Sequence, residues 1–313
     1  MKIVFMGTPE FAAVCLENLI QSKYEVVAVV SVPDKPAGRG QKLRASAVAQ
    51  LAQENNIPLL QPEKLKDAVF LEQLKEFNAE AFVVVAFRML PKEVWQIPPK
   101  GTFNLHASIL PQYRGAAPIN WAVINGETES GVTTFLIDEA IDTGNILLVE
   151  KVAITPEDNA GTLHDKLLAV GKHLIVETLD GLADGSIQAK PQDSTEVLKA
   201  APKIFKEDCQ IDWTEDIEQI HNKIRGLSPY PAAWSYIQKE EDLKTFKIFK
   251  GHFEKTQNDV ALVHSISFEN NQMLIHLADG NYCVEDLQPE GKKRMSVKDF
   301  INGIQDKSHW KVK

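Results

Sequence analysis

Three polar side chains in the middle of the sequence have the types and spacing that chemistry requires. Asn104 and His106 lie in an apolar run, residues 103–106, that predicts a short β-strand. Side chains two residues apart in a strand project from the same face, so the amide and the imidazole should lie side by side. Asp142 belongs to an acidic loop, residues 138–144, that follows a second predicted strand at residues 133–137. Spacing alone leaves open whether this loop brings Asp142 against His106.

These three groups suit the transfer of an acyl group to an amine. An amide can donate a hydrogen bond to a developing oxyanion, and an imidazole can donate to it as well or move a proton near neutral pH. A carboxylate can orient the imidazole or help to deprotonate an attacking ammonium group. The sequence has no G-x-S-x-G nucleophile elbow, which favours direct attack by the amine. The alternative is structural, because a histidine in a strand is commonly a core residue and an aspartate in such a loop commonly forms a turn.

Length and composition are those of a globular protein with two domains. At roughly 150 residues per domain, a chain of 313 residues suggests two. Cys15, Cys209 and Cys283 form no metal-binding pattern and suit a reducing compartment. No apolar run approaches the length of a membrane helix, about 20 residues, so we expect a cytoplasmic protein without a membrane partner. The net charge of -9 argues against broad, nonspecific RNA binding but allows a local basic patch.

The N-terminal part of the chain has the pattern of an α/β fold. Short apolar runs at residues 2–6, 25–30 and 81–86 predict buried, parallel strands. Thr8, Pro9 and Glu10 predict the start of a helix over residues 11–19, with Thr8 as the N-cap. The turn before this helix lacks the G-x-G-x-x-G fingerprint of a dinucleotide site.

A basic segment at residues 33–44 interrupts this pattern. Its prolines and glycines predict a loop, and Lys35, Arg39, Lys42 and Arg44 make it strongly basic in an acidic protein. One interpretation is an arm that contacts phosphate groups. A solvated surface loop is an equally good interpretation of the composition alone.

The C-terminal part of the chain changes character after residue 187. Residues 188–206 contain proline, glutamine and serine and end in a basic run, which predicts a linker. Residues 207–213 predict a short strand, and residues 215–227 predict a helix. Further strands are predicted at residues 246–249, 261–268, 272–278 and 282–287, with hairpin turns at Asn270-Asn271 and around Gly280. Consecutive short hairpins suggest a small barrel, a fold that often binds nucleic acids or sugars.

The wording of the central motifs closely resembles that of the folate-dependent formyltransferases, and within them the members that act on methionyl-tRNA. The motifs are Asn104-Leu-His106-Ala-Ser108-Ile-Leu-Pro111, Arg114-Gly-Ala-Ala-Pro-Ile119 and residues 138–144. The resemblance implies that Asn104, His106 and Asp142 are catalytic. It also implies a folate site formed by Phe87, Met89, Leu90, Ser108, Ile109, Leu110, Pro111 and Asp138. At residues 87–88 this chain has Phe-Arg where the family commonly has an aromatic residue and glycine.

The same resemblance implies the fold, the reaction and the partners. The expected fold is α/β: a Rossmann-like, mostly parallel sheet forms a catalytic domain (residues 1–188), followed by a linker (189–206) and an OB-like β-barrel that binds tRNA (207–313). The expected reaction moves the formyl group of 10-formyltetrahydrofolate to the amino group of initiator methionyl-tRNA, without a metal. We expect a monomer that contacts tRNA through Arg39, Lys42, Lys203 and Lys206.

Three other functions stay open at this point. Relatives that formylate a small amine, either a ribonucleotide or a nucleotide sugar, share the N-x-H…D set. The enzymes that act on a ribonucleotide are expected to lack the barrel. The enzymes that act on a nucleotide sugar are commonly fused to another domain. A hydrolase that releases formate is expected to carry an additional N-terminal regulatory domain. The alternative from another class is a noncatalytic RNA-binding module in which Asn104, His106 and Asp142 are structural; the negative net charge counts against it.

Overall fold

The computed structural model describes residues 1–37, 42–193 and 197–313. These residues form two compact units. The first unit comprises Met1–Gly115, Glu129–Ala153 and Asp165–Ala201, and the second comprises Ala116–Thr128, Ile154–His164 and Pro202–Lys313. No helix in the described part of the chain is both long enough and apolar enough to cross a membrane.

Strands alternate with helices in the first part of the chain and predominate in the last part. The strands are β1 (Lys2–Gly7), β2 (Glu25–Val30), β3 (Lys35–Ala37), β4 (Lys42–Arg44), β5 (Leu59–Leu60), β6 (Ala81–Val85), β7 (Thr102–His106), β8 (Arg114–Gly115), β9 (Glu129–Leu136), β10 (Ile146–Ala153), β11 (Ala200–Ala201), β12 (Ala233–Lys239), β13 (Asp242–Lys255), β14 (Ser265–Glu269), β15 (Gln272–Leu277), β16 (Gly280–Pro289), β17 (Met295–Ser296) and β18 (Trp310–Val312). The helices are α1 (Glu10–Ile20), α2 (Ala47–Glu54), α3 (Ala68–Glu76), α4 (Lys92–Trp95), α5 (Pro118–Ile124), α6 (Ala160–Asp184), α7 (Ile217–Gly226), α8 (Val297–Asn302) and a 3-10 helix (Glu207–Cys209).

The first unit is built on a seven-stranded sheet with the strand order β10-β9-β7-β6-β1-β2-β5. Five neighbouring strands, β7, β6, β1, β2 and β5, are parallel to one another. Strands β9 and β10 are antiparallel to their neighbours. The parallel strands are short and apolar, and every residue of β6 is buried, as expected for a sheet that is covered on both faces. The predicted Rossmann-like, mostly parallel sheet is confirmed.

The N-cap of the first helix is Pro9, one residue after the predicted Thr8. Helix α1 starts at Glu10 after Pro9, and no side chain caps its first turn. Pro9 occupies the cap position with extended backbone angles. Its carbonyl oxygen accepts hydrogen bonds from the amides of Ala12 and Ala13 (3.0 and 3.1 Å). Backbone bonds from the proline therefore start the helix without a threonine hydroxyl.

The second unit contains a closed, antiparallel barrel of six strands. The strands pair in the order β13-β12-β18-β14-β15-β16, and β16 closes the ring by pairing with β13. The core of this unit includes Trp213, Ile248 and the fully buried Tyr282. Asn270 and Asn271 form the predicted turn between β14 and β15, with the positive φ angles (49° and 62°) that asparagine tolerates. The predicted OB-like barrel is confirmed.

Several local predictions for the second unit were wrong or incomplete. The strand predicted at residues 261–268 begins only at Ser265. Residues 207–213 are not a strand, because Glu207–Cys209 form a 3-10 helix. The Asp208 carboxylate accepts a hydrogen bond from the Phe205 amide (2.8 Å) and so starts this turn. Strand β12 was not predicted, since its inward face includes the polar Ser235. That residue is fully buried, and its hydroxyl accepts a hydrogen bond from Trp213 Nε1 (2.7 Å).

The predicted linker is hydrogen-bonded to the rest of the first unit in its described part before Pro202. Lys190 forms a β-bridge with Ile146, and β11 pairs in parallel with β8. Residues up to Ala201 therefore belong to the first unit, and the second resumes at Pro202. The domain boundaries at residues 188 and 207 stay predictions.

Candidate active site

Strand β7 carries Asn104 and His106 inside the sheet, between β6 and β9. Asn104 stands opposite Phe135, and His106 stands opposite Thr133. The spacing of two residues puts both side chains on one face of the strand. Pairing on both sides fixes the backbone of these residues, so neither depends on a mobile loop for its position.

One ring nitrogen of His106 is held by the backbone. Its Nε2 lies 2.9 Å from the carbonyl oxygen of Tyr113. A carbonyl oxygen can only accept, so Nε2 carries a hydrogen and donates it. Nδ1 faces the Asp142 carboxylate, 3.8 Å from Oδ2, and the two side chains are only 7% and 15% exposed. Nδ1 is therefore the position at which this imidazole can exchange a proton.

Asp142 is fixed by its backbone conformation and by a hydrogen bond. Its φ of 55° lies in the left-handed region, which aspartate adopts more readily than most residues. Its Oδ2 accepts a hydrogen bond from the Gly115 amide (2.9 Å). Gly115 follows closely after Tyr113, so one loop positions both the carbonyl that holds His106 and the amide that holds the carboxylate. The structure thus brings together the residues that spacing alone could not join.

Gln192 and Arg114 hold the loop that carries Asp142, although no role in the site was predicted for either. Gln192 Nε2 donates to the carbonyl oxygens of Asp142 (2.9 Å) and Gly144 (2.8 Å). Its Oε1 accepts from Arg114 Nε (3.1 Å) and from a terminal nitrogen of the same guanidinium group (2.6 Å). Arg114 belongs to one of the motifs that resemble the formyltransferases, and this motif could have indicated a role in the site. Gln192 lies in a polar segment without a distinguishing pattern.

The rest of the acidic loop is shaped by Asp138 and Gly144. Asp138 Oδ1 accepts hydrogen bonds from the Ala140 amide (3.1 Å) and the Thr143 hydroxyl (2.7 Å), so this carboxylate, which was predicted to bind folate, stabilises a turn. A Cβ at Gly144 would lie 1.6 Å from the Leu136 carbonyl oxygen. The close approach of the two backbones therefore requires glycine there.

Residues 108–111, predicted to bind folate, are largely engaged in shaping a turn. Ser108 is fully buried, and its hydroxyl donates to the Gln112 carbonyl oxygen (2.7 Å). Thr133 Oγ1 donates to the Ser108 carbonyl oxygen (2.7 Å) and accepts from the amide of the buried Leu110 (3.1 Å). These bonds shape the loop whose Tyr113 carbonyl meets His106. Thr133 was not predicted to belong to the site.

Residues 87–90 follow β6 and differ in their exposure to solvent. Met89 is 66% exposed, whereas the side chain of Leu90 belongs to the hydrophobic core. Phe87 packs against the same core, and the Arg88 guanidinium lies 5.6 Å from its ring centre. Arg88 also donates to the Glu63 carbonyl oxygen (2.8 Å), which a glycine at this place could not do. Partly exposed residues among those predicted to bind folate are Phe87, Ile109 and Pro111.

The Asn104 amide carries an unused hydrogen-bonding group. Its Oδ1 is buried and has no hydrogen-bond partner among the described residues. Leaving such an atom unpaired costs roughly 1–3 kcal/mol, and folded proteins pair nearly all buried polar atoms. An amide offers both an acceptor and a donor. Asn104 therefore points to a ligand with polar atoms of its own.

The residues predicted to contact tRNA are described only in part. Arg39 lies outside the described residues, and Lys42 lies in β4, where its backbone alone is described. Lys203 and Lys206 belong to the second unit and are exposed. In the described ranges, no group of three or more His, Cys, Asp or Glu side chains could hold a metal ion.

Sequence comparison assigns both parts of the chain. The family described as formyl transferase matches residues 1–179, and the formyl transferase C-terminal domain matches residues 203–305. Methionyl-tRNA formyltransferase of Flavobacterium johnsoniae is 48% identical over 304 residues, which cover 97% of this chain and 96% of that protein. Methionyl-tRNA formyltransferase of Bacteroides fragilis is 46% identical over 317 residues, which cover 100% of this chain and 98% of that protein.

Solved structures share the fold at low sequence identity. HypX from Aquifex aeolicus, in complex with tetrahydrofolic acid, has a TM-score of 0.65 and 16% identity over 96% of this chain; the chain spans about half the length of HypX (47%). An N-formyltransferase from Helicobacter canadensis, in complex with folinic acid and dTDP-3-aminofucose, has a TM-score of 0.65 and 21% identity over 94% of this chain and 100% of that chain. With matches to both of its domains and relatives similar along their whole length, this chain belongs to the formyl transferase family.

Proposed function

We propose that this protein transfers the formyl group of 10-formyltetrahydrofolate to the free amino group of initiator methionyl-tRNA. The observation that carries the proposal is the placement, on one strand face, of Asn104, whose Oδ1 is unpaired, and of His106, whose Nδ1 faces Asp142. This set suits direct transfer of an acyl group to an amine. Relatives that match nearly the whole chain bear the name of this activity.

The residues of the first unit fit a folate that carries a formyl group. Asn104, whose Oδ1 is unpaired, has amide N–H groups that can donate to a formyl oxygen, and the exposed side chain of Met89 offers apolar surface to a ring system. When bound, 10-formyltetrahydrofolate supplies the formyl group. Leu90, Ser108 and Leu110 are buried, so these predicted folate-binding residues would contact the folate mainly through their backbone atoms. The residues that would hold it are Phe87, Met89, Leu90, Ser108, Ile109, Leu110, Pro111 and Asp138.

His106 and Asp142 would take the proton of the attacking amine. The amino group must lose a proton as its nitrogen bonds to the formyl carbon, and N10 of the folate must gain one as its bond to that carbon breaks. Nε2 of His106 is occupied by the Tyr113 carbonyl, so Nδ1 is the site that receives the proton. The carboxylate 3.8 Å away stabilises the resulting positive charge. The Gly115 amide keeps Oδ2 of Asp142 in place during this step.

Asn104 would stabilise the charge that develops on the formyl oxygen. A preorganised donor aimed at a developing oxyanion typically contributes about 3 to 4 kcal/mol. Such a donor acts best when it does not have to move, and β7 is paired along both edges at this residue. Asn104 is therefore positioned before the substrates bind.

Basic residues would bind the tRNA. Arg39, Lys42, Lys203 and Lys206 supply positive charge for phosphate contacts in a chain whose net charge is -9. Localised contacts of this kind select a nucleic acid by shape and position rather than by overall attraction. We also propose that the protein acts as a monomer in the cytoplasm.

A formyl-transfer assay tests the proposed function. Purified protein is mixed with 10-formyltetrahydrofolate and with methionyl-tRNA, glycinamide ribonucleotide or no amine. Formylmethionyl-tRNA as the sole formylated product supports the proposal. Formylation of the ribonucleotide alone would contradict the tRNA substrate, and formate release in every mixture would indicate a hydrolase. Folded protein without any folate-dependent turnover would contradict the catalytic roles of Asn104, His106 and Asp142.

A further inference from the structure

Two aromatic side chains meet on the outside of the barrel near the start of β12, and a third belongs to the segment that is hydrogen-bonded to this strand. The inward residues of β12 are buried, and the alternate residues Trp234 and Tyr236 face outward and are partly exposed. Their rings meet edge to face, with centroids 5.4 Å apart. Phe205 precedes the barrel and is 57% exposed. We refer to Phe205, Trp234 and Tyr236 as the aromatic patch.

Hydrogen bonds attach the segment that carries Phe205 to β12. Trp234 Nε1 donates to the carbonyl oxygen of Lys206 (2.8 Å), and the Ile211 amide donates to the carbonyl oxygen of Trp234 (2.8 Å). The Cys209 thiol donates to the carbonyl oxygen of Phe205 (3.2 Å). The ring of Trp234 and the backbone at Phe205 are therefore fixed before anything binds, which lowers the entropy cost of binding.

Lysines accompany the rings of the aromatic patch. Lys203 Nζ lies 5.3 Å from the ring centroid of Phe205, and Lys206 Nζ lies 5.7 Å from that of Trp234. Lys247 is the cross-strand partner of Trp234. Lys203, Lys206 and Lys247 form no ion pair with any described residue, so their charges are available to an anionic ligand.

Another lysine of the same unit also lies over an aromatic ring, but its charge is neutralised by a carboxylate. Lys239 Nζ lies 5.8 Å from the ring centroid of Trp310, a distance similar to those in the aromatic patch. However, Lys239 is bonded to the Asp306 carboxylate (2.6 Å). The stacking of a lysine on a ring therefore does not by itself leave a free charge, and the lysines of the aromatic patch differ in this respect.

We propose that the aromatic patch, with Lys203, Lys206 and Lys247, binds an unpaired segment of the tRNA substrate. Bases stack on exposed aromatic rings with little sequence preference, and lysines contact the phosphates between them. An acidic peptide would use the lysines but would leave the flat rings without matching partners. This inference rests on the proposed function and adds base stacking to its phosphate contacts.

Four variants of the full-length protein test the inference through the Kd for deacylated initiator tRNA, measured over a range of salt concentrations. Phe205→Leu keeps an apolar side chain but removes the ring, and should raise the Kd about 5- to 10-fold without changing the salt dependence. Phe205→Trp should bind within about twofold of the original protein. Lys203→Gln with Lys206→Gln should make the slope of log K against log salt shallower, by roughly 0.7 for each phosphate that is no longer neutralised. Lys239→Gln, the matched control, should leave binding unchanged.

Competition identifies the class of ligand. An unpaired oligouridylate should displace tRNA from the original protein and do so less well from Phe205→Leu. Equal displacement by polyglutamate, or a Kd for Phe205→Leu equal to that of the original protein, would overturn the stacking role. If the original protein still formylates methionyl-tRNA in that case, the proposed function stands without the aromatic patch. If it formylates no tRNA, the proposed function itself fails.

Discussion

Two inward-facing histidines of this protein have opposite surroundings. His106 in the first unit has a backbone carbonyl at Nε2 and a carboxylate facing Nδ1. His221 in the second unit lies on α7 against aromatic rings, with centroids 5.2 Å from Phe253 and 6.1 Å from Tyr282. Its Nδ1 is buried and has no hydrogen-bond partner among the described residues.

The difference between the two sites teaches what separates a reactive histidine from a packed one. Burial, and after it the charge of Arg225, lowers the pKa of His221 to about 4, so that side chain is neutral at neutral pH. His106 is buried too, but each of its nitrogens meets a different polar group. Burial therefore identifies neither residue as catalytic. The asymmetry of polar contacts is what supports the proposed role of His106, and it depends on the two loops that follow β7 and β9.

Removal of the Asp142 charge should have the largest effect. We expect Asp142→Asn to lower kcat roughly 10³-fold, because His106 loses the group that stabilises its protonated form. Asparagine adopts the left-handed conformation at this position as readily as aspartate, so the loop should keep its shape. Steady-state kinetics with methionyl-tRNA measures the effect.

Glu139→Gln is the matched control for that experiment. Glu139 lies in the same acidic loop, is 72% exposed at its side chain and pairs with Lys92 (2.6 Å). Exposed ion pairs contribute little, so its kcat should change less than twofold. Equal losses in both variants would show that the charge of the loop, rather than the contact with His106, is what matters.

Replacement of Asn104 should separate activity from stability. Asn104→Leu removes the amide and keeps the approximate volume. We expect kcat to fall about 10²-fold through loss of a donor to the formyl oxygen. The free energy of unfolding should stay the same or rise by about 1 kcal/mol, because the unpaired Oδ1 disappears. Kinetics and urea denaturation measure the two effects, and a large loss of stability would indicate that the amide is structural.

His221 should make the protein less stable in acid. The unfolded chain protonates this histidine near its ordinary pKa of 6.5, whereas the folded protein resists protonation until the pKa of about 4. The free energy of unfolding should therefore fall as the pH drops from 6.5 to 4, by on the order of 3 kcal/mol, and this contribution should level off below pH 4.

A comparison of variants isolates the contribution of His221. His221→Leu should lack this part of the pH dependence, and His309→Gln, which alters an exposed histidine, should retain it. Urea denaturation at several pH values gives the difference. Identical slopes for the original protein and His221→Leu would show that burial does not suppress protonation there, and the comparison with His106 would lose its contrast.

The sequence predicted the sheet, the barrel and the three candidate catalytic residues for different reasons. Apolar runs in the sequence predict the strands of the first unit, and the alternation of side chains in a strand places Asn104 and His106 on one face. The residues that bring Asp142 to His106 could not be predicted in the same way. The Tyr113 carbonyl and the Gly115 amide are backbone groups, so no side chain records their roles.

Polar side chains with ordinary sequence surroundings were missed for a related reason. The pattern around Thr133 indicates a strand and that around Gln192 a linker, yet each bonds to a loop that is far away in the sequence. In the same way, β12 was not predicted because its inward-facing residue Ser235 is polar. Pairwise contacts between distant polar groups leave no periodic signal, whereas apolar burial does.

Gln192 gives the smallest expected effect and tests whether its contacts matter for the site. Gln192→Met preserves length but removes the bonds to the carbonyl oxygens of Asp142 and Gly144 and to Arg114. As a positioning residue, it should affect kcat, which we expect to fall about 10-fold, while KM for methionyl-tRNA changes less than twofold. Gln188→Met alters an exposed glutamine nearby and should leave both constants unchanged. A rise in KM with kcat preserved would place Gln192 in substrate binding instead, and the loop at Asp142 would then hold its shape without it.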